Sequence, residues 1–277
     1  MKKPFLLLVP AGGLANRMRA IVSAYSLAKI TGSHVQVVWF KDWALYSPFK
    51  EIFMPIDEDI ISLREANIFD HLVNDRPRKK NFNFFKIPQQ LIYERCIYER
   101  FVSPLKEKGF DFYEWAAGHR CYMSCYQEFG KIDGLYFRQL FHPTAIVEEI
   151  INKHVTKFSS HTIGLHIRRT DNVESIEKSP TDIFCDAVDK EISEHNETKI
   201  FLATDSEEVK NQIRNRYGER VITSSSEADR GSTEGIRKGV ADMYALSQTV
   251  RIYGSAGSSF SVMASRIGGN ELIIVEK

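Results

Sequence analysis

The chain has 277 residues, 43% of them hydrophobic and 26% charged, which describes a soluble globular protein with material for a sizeable core. That length exceeds one ordinary domain, so two domains of roughly 100–150 residues each are expected. With 37 basic and 36 acidic side chains the formal net charge is +1. Broad electrostatic attraction to nucleic acid or to an anionic membrane is therefore excluded, and any anion site has to be local.

The amino terminus has the outline of a signal peptide, but its apolar run, Phe5 to Val9, is short and leads directly into a glycine turn. It reads as a first buried strand, and a cytoplasmic protein with no transmembrane segment is expected. Pro10-Ala11-Gly12-Gly13-Leu14-Ala15-Asn16-Arg17 then opens a helix whose stripe is Leu14, Met18, Ile21, Val22, Tyr25 and Ala28, closed by Thr31-Gly32. A strand at Val35–Phe40 completes a β–turn–α–β unit. Gly13 and Asn16 stand where backbone N–H groups and the helix dipole meet a ligand, with Arg17 beside them. A turn that merely needs glycine fits the same residues. The pattern is not Gly-x-Gly-x-x-Gly and no acid ends the second strand, which argues against a nicotinamide enzyme.

From about Lys41 to Lys157 the pattern is irregular, with a basic-aromatic stretch at Arg76–Phe85 and a dense aromatic group at Phe110–Tyr126. Single-stranded nucleic acid would suit such a mixture, but the balanced charge and the lack of an RNA-binding signature make no nucleic acid partner the expectation. Core packing accounts for most of these rings, and some could stack on an acceptor sugar. Cys96, Cys121, Cys125 and Cys185 lack zinc spacing and read as reduced core thiols.

After residue 160 regularity returns. Strands at Ile163–Ile167, Lys199–Thr204, Arg220–Thr223, Val250–Tyr253 and Glu271–Val275 alternate with helices near Asp182–Glu194, Ser206–Tyr217, Gly235–Ser247 and after Ser259. The alternation means a doubly wound parallel sheet, with any ligand beyond the carboxyl ends of its strands. The expected domains are 1–157 and 158–277.

Four groups converge on that edge. Ile163-Gly164-Leu165-His166-Ile167 ends in Arg168-Arg169-Thr170-Asp171, and paired guanidiniums suit a diphosphate. A surface turn whose charges pair with one another fits equally well. Asp205 follows a strand and, with Glu208, fits either a capping box or a ligand role. Asp242 sits near the end of its helix, where a negative charge is unfavourable. Ser258, Ser259 and Phe260 leave a strand and open a helix that exposes N–H donors to an anion.

Together, Gly12-Gly13-Leu14-Ala15-Asn16-Arg17, His166-Ile167-Arg168-Arg169-Thr170-Asp171, Ala203-Thr204-Asp205-Ser206, Asp242 with Leu246-Ser247-Gln248, and Ser258-Ser259-Phe260 resemble the GDP-fucose-dependent fucosyltransferases of the α1,6- and protein O-fucosyltransferase superfamily, which includes the nodulation fucosyltransferase. The resemblance covers the first helix and nearly all of the carboxyl half. It implies an α/β, GT-B-like protein of two Rossmann-like domains, with the donor held by the carboxyl domain and the acceptor by the amino-terminal one. It also implies inverting, metal-independent transfer of fucose from GDP-fucose to a glycan hydroxyl, with no cofactor and no metal ligands. His166 and Asp242 would contact the guanine or ribose end, Arg168 and Arg169 the diphosphate, and Ser258 and Ser259 the phosphates.

Where the family places a general-base glutamate this chain has Ile176, between Glu174 and Glu177. Glu174 is the expected base, with Asp171 as its alternative. The expectation is a bacterial-type glycosyltransferase. A non-catalytic nucleotide- or glycan-binding protein on the same fold is the alternative.

Overall fold

The computed structural model describes residues 3–78, 82–170, 172–224, 229 and 231–277, the side chains of residues 82–85 excepted. Two compact units divide the chain, Met1–His142 and Pro143–Lys277.

The first unit runs β1 (Phe5–Pro10), α1 (Leu14–Thr31), β2 (His34–Trp39), β3 (Ile61–Glu65), α2 (Ile68–Val73), α3 (Phe82–Ile92), β4 (Arg95–Ile97), α4 (Glu99–Glu107), α5 (Phe112–Ala116), β5 (Arg120–Cys125) and α6 (Leu135–Leu140). Its sheet has the order β3-β2-β1-β5-β4, parallel at every pairing. The stretch that reads as irregular thus supplies β3, β4 and β5. β5 pairs with β1 from Arg120 to Cys125 and is buried almost throughout, yet its letters, Arg-Cys-Tyr-Met-Ser-Cys, carry no aliphatic run. Leu7, Val9, Val38, Phe40, Tyr93, Tyr98 and Tyr122 form a core cluster on this sheet.

The second unit runs α7 (Ala145–Val155), β6 (Thr162–Ile167), α8 (Val173–Lys178), α9 (Thr181–Glu194), β7 (Lys199–Thr204), α10 (Glu207–Tyr217), β8 (Val221–Thr223), α11 (Thr233–Leu246), β9 (Arg251–Ser255), α12 (Ser259–Gly268) and β10 (Glu271–Val275). Its order is β10-β9-β6-β7-β8, again parallel throughout. The unit begins before residue 158 because α7 packs against α11 and so belongs with the second sheet. From β6 the chain winds outward through β7 and β8, then returns to lay β9 and β10 on the other side. β6 and β9 therefore flank a topological switch point, the position where open α/β sheets hold ligands.

Alternation along β6 explains its two faces. Ile163, Leu165 and Ile167 are fully buried with Phe184, Val188, Val209 and Ile213 of α9 and α10, each contributing about 1.5–3 kcal/mol of burial. The opposite face carries Gly164 and His166. A Cβ at Gly164 would lie 2.8 Å from Leu246 Cδ2 and 2.9 Å from Thr249 Oγ1, so glycine lets the end of α11 approach. Gly254 does the same for α12, since its Cβ would lie 2.5 Å from Ser261 Oγ. Gly254→Ala is expected to destabilise by about 1–3 kcal/mol through overpacking, measured by denaturant melting.

The four cysteines are free, and burial pushes Cys121 and Cys125 up to about 12. Among the described residues no helix is long and apolar enough to cross a membrane.

Candidate active site

The turn after β6 is held from the end of β7. Asp205 Oδ1 accepts from the Arg169 backbone N–H (2.7 Å). Its Oδ2 accepts from Thr170 Oγ1 (2.7 Å) and pairs with Arg168 Nε at 3.1 Å. Asp205 is not a helix cap. The α10 cap is Ser206, whose side chain accepts from the Val209 N–H, and this corrects the Asp205–Glu208 capping-box expectation. One residue later in the chain carries the cap, which leaves Asp205 to organise the arginine turn.

The two arginines part company here, because successive side chains of an extended segment point to opposite sides. The Arg169 guanidinium donates to the Arg168 and Ser179 carbonyls (both 2.7 Å) and to Thr181 Oγ1 (3.1 Å). It clamps the turn to the start of α9. Burial lowers its pKa below the usual arginine value, with the nearby Asp205 carboxylate opposing. Arg168 keeps its side chain at the crevice, 16% exposed, with its backbone N–H donating to Ser255 Oγ (3.1 Å).

The β9 side of the crevice is a turn of small residues laced to α8. Ser175 Oγ donates to the Ala256 carbonyl (2.6 Å), the Ala256 N–H donates to Ser179 Oγ (2.9 Å), and Asn172 Nδ2 donates to the Gly257 carbonyl (3.1 Å). Gly257 has φ +67°, in the left-handed region that favours glycine. A Cβ there would meet the Glu174 carboxylate at 2.5 Å, so Glu174 lies directly against this turn. Glu174 is also ion-paired with Lys178 (2.8 Å) and about half exposed. Asp171 lies outside the described residues.

The helix that follows is set up for an anion. α12 starts at Ser259 after Ser258, with no side-chain cap and no acidic residue in its first turn. By contrast α8, α10 and α11 each have both. Its orphan N–H groups and positive dipole end are thus uncompensated.

His166 lies under this turn. Its ring stacks on Phe260 (4.7 Å, 23°) and its Nδ1 is 3.4 Å from Ser258 Oγ. Burial, reinforced by the Arg168 charge and opposed by Asp205, lowers its pKa to about 4. It is a neutral imidazole at physiological pH, suited to hydrogen bonding and stacking.

Asp242 belongs to a second cluster, at the carboxyl end of β8. Ser224 Oγ donates to its Oδ1 (2.7 Å), and His154 Nε2 is 3.3 Å from the same hydroxyl. Burial raises the Asp242 pKa to about 6, with the Ser224 hydrogen bond and the Lys210 charge opposing. No described contact joins His166 to Asp242, so the two do not act as one pair. β7 separates β8 from β6.

Gly13 and Asn16 belong to the other unit, at the turn after β1. The glycine requirement falls on Gly12 (φ +78°), while Gly13 is the α1 N-cap, with ordinary backbone angles and open space where a Cβ would be. Asn16 accepts from Arg19 Nη2 (2.5 Å). Arg17 is fully buried and structural. It bonds the Gly12 and Phe40 carbonyls and Asp42 Oδ1, beneath the Trp39 ring.

The structure thus brings together His166, Arg168, Asp205, Glu174, Ser258, Ser259 and Phe260, sets Asp242 apart within the same unit, and leaves Gly13 and Asn16 in the other. Sequence reasoning quoted Thr170 within the arginine motif without giving it a role, and missed Asn172, Ser175, Ser179 and Ser255, which with it hold the turns, and His154 and Ser224 beside Asp242. Of these, Thr170, inside the arginine motif, and Ser255, inside the small-residue turn, carried a signal. Among the described residues, no group of three or more His, Cys, Asp or Glu is arranged to hold a metal.

No protein-family profile matches the sequence, and no curated protein matches it. Solved structures do. Fucosyltransferase NodZ from Bradyrhizobium is 18% identical, spans 95% of this chain and 93% of its own, and has a TM-score of 0.67. This chain has the fold of GDP-fucose fucosyltransferases. An Arabidopsis thaliana FUT1 variant in complex with GDP (15% identity, 99% of this chain, 70% of that one, TM-score 0.61) and POFUT1 (8%, 99% of each chain, 0.61) share it. At such identities the likeness is one of fold, and the chemistry has to be argued from the site.

Proposed function

We propose that this protein is an inverting, metal-independent glycosyltransferase that moves fucose from GDP-fucose to a glycan hydroxyl. The observation that carries the reading is the convergence of Arg168, the Asp205-held turn and the uncapped start of α12 at the β6/β9 switch point. NodZ with the same fold has been soaked with GDP-fucose and co-crystallised with GDP, which supports a guanine nucleotide as the ligand.

In this reading the carboxyl-terminal unit holds the donor. Arg168, the Ser258 hydroxyl and the backbone N–H groups at the start of α12 from Ser259 take the diphosphate, while Arg169 positions Arg168 from behind. Asp242, with Ser224, receives the guanine. The acceptor hydroxyl attacks the anomeric carbon of fucose as the bond from that carbon to the β-phosphate oxygen breaks. The electron pair leaves on GDP, and the hydroxyl proton passes to a carboxylate. Attack opposite the leaving group inverts the anomeric centre. A fixed guanidinium and a helix N-terminus stabilise the charge growing on GDP, work that a divalent cation does elsewhere. Glu174, beside the Gly257 turn, is the base. Glu174→Gln should lower kcat on the order of a hundredfold or more while GDP titrates as in wild type. An unchanged kcat would move the role to Asp171. The free thiols suit a reducing, cytoplasmic compartment, and a bacterial source forms part of the same proposal.

A second reading, a nucleotide-binding protein without turnover, is favoured by Ile176, 41% exposed where the resemblance places a glutamate, and by the Glu174–Lys178 pair. Calorimetric titration with GDP, GDP-fucose, UDP and ADP, repeated with EDTA, tests the donor site. Selective guanine-nucleotide binding unaffected by EDTA is expected, and no nucleotide preference would overturn the donor assignment. Release of GDP from GDP-fucose separates enzyme from binder.

A further inference from the structure

The Asp242 cluster contains a group to which the proposed chemistry gives no role. α7 buries Val147, Ile151 and His154 along one stripe, so an imidazole holds a place that an apolar side chain would fill with no polar atom to satisfy. Its ring lies against Phe201 of β7 (5.3 Å). Burial, helped by the Lys157 charge, lowers the His154 pKa below the ordinary histidine value. The ring is therefore a neutral imidazole with a single N–H to donate.

Ser224 decides where that N–H points. Its Oγ gives its one hydrogen to Asp242 Oδ1 (2.7 Å), so toward His154 Nε2, 3.3 Å away, the hydroxyl can only accept. Nε2 thus carries the ring hydrogen, and the bonds run from His154 to Ser224 to the carboxylate. A hydroxyl standing between imidazole and carboxylate is not the order of a nucleophilic triad, where the imidazole is central. His154 Nε2 is 3.9 Å from Asp242 Oδ1, too far for a direct hydrogen bond, so the hydroxyl makes the connection. The Asp242 side chain is 18% exposed and open to a ligand, and the imidazole is the more deeply buried of the two. Lys210, paired with Glu207, adds its charge to the carboxylate.

We infer that His154 is a positioning residue for guanine recognition: by donating to Ser224 it holds the hydroxyl on Asp242 Oδ1 and sets the plane of the carboxylate for adjacent N–H donors of the base. This rests on the assignment of Asp242 to the guanine. Adenine and uracil lack guanine's adjacent pair of N–H donors, so the carboxylate's orientation bears directly on selectivity. A hydrogen bond to the charged form also favours that form. Breaking the chain at either member therefore leaves Asp242 easier to protonate, although the neutral imidazole contributes no charge itself.

Two titrations test the chain. NMR follows the Asp242 carboxyl carbon in the ligand-free protein, assigned by its loss in Asp242→Asn, and calorimetry follows GDP and inorganic diphosphate across the same pH range. In His154→Phe, which keeps a ring on Phe201, the carboxyl midpoint should rise from about 6 by about one pH unit. The pH at which GDP affinity falls should rise with it, and diphosphate should bind as in wild type. Ser224→Ala should raise both equally, and the double substitution no further, because His154 acts through Ser224. His154→Gln, whose amide can donate to Ser224, should stay near the wild-type midpoint. His154→Leu replaces the phenylalanine variant if that one does not fold. A purely structural His154 would lower the melting temperature without moving the midpoint. An unmoved midpoint, additive shifts in the double variant, or equal losses of GDP and diphosphate would overturn the inference. Failure of the wild type to bind GDP would overturn the donor reading instead, and the carboxyl titration would still decide whether His154 acts on Asp242.

Discussion

Arg168→Ala should lower kcat/KM for GDP-fucose by roughly a hundred- to a thousandfold, on the order of 2–4 kcal/mol of transition-state stabilisation. Its backbone is fixed by Ser255 Oγ and its Nε by Asp205. The guanidinium is therefore set in place at the strand end before any donor arrives, and little reorganisation remains to oppose catalysis. Arg168→Lys should recover only part of the loss, because an ammonium restores charge without the planar fork. Arg169→Ala is expected to behave differently. Its donors serve two carbonyls and Thr181, so its loss should lower the melting temperature together with activity. Steady-state kinetics beside GDP calorimetry and thermal melts separate the two. Full donor binding and turnover in Arg168→Ala would remove the phosphate site from this turn.

The contrast between these arginines shows where sequence reading ran out. Arg-Arg after an aliphatic strand points correctly to a strand end at the sheet's carboxyl edge. Which of two adjacent side chains faces the crevice depends on partners at Ser179 and Thr181, and nothing in the motif announces them. Asp205-Ser206 was ambiguous for a related reason, since either residue is a good helix cap and only the pairing of β6 with β7 assigns Asp205 to the arginine turn. Strands with unbroken aliphatic runs, such as Lys199–Thr204 and Glu271–Val275, were legible to the residue. β5 and the three-residue β4 were not, because tyrosine, cysteine, methionine and serine are buried there by their neighbours without any periodic signature of their own. α8 is a similar case. Six residues are too few for propensity to fix a helix, and the bonds from Asn172, Ser175 and Ser179 to the Ser255–Gly257 turn hold it instead.

Asp242→Asn is expected to make the protein more stable and a poorer GDP binder at the same time. The folded-state pKa of Asp242 is about 6, against an ordinary 3.8, because burial penalises the charge more than Ser224 and Lys210 relieve it. Between about pH 4 and pH 6 the folded protein therefore holds a proton that the unfolded chain has released. Stability attributable to Asp242 falls as pH rises through that window, and the deficit is fully present above it. Asparagine keeps an oxygen for the Ser224 hydroxyl and carries no charge. At pH 8 the variant should gain on the order of 2–3 kcal/mol, and below about pH 4 the two proteins should melt alike. His166 works in the opposite sense. Its pKa is depressed to about 4, so its contribution is lost as pH falls from about 6.5, and it does so equally in both proteins. The difference between their melting curves therefore isolates Asp242. If the carboxylate receives guanine N–H donors, wild-type GDP affinity should fall as pH drops below about 6. In Asp242→Asn, GDP should weaken above about pH 6, with the difference from wild type closing at lower pH, while inorganic diphosphate is unaffected. Equal losses of GDP and diphosphate, or none, would remove Asp242 from base recognition. A variant no more stable than wild type at pH 8 would show that the buried carboxylate carries no uncompensated charge. A gain in stability coupled to a loss of guanine affinity is what a strained, functional carboxylate predicts, since a residue kept only for folding would not be replaced to advantage.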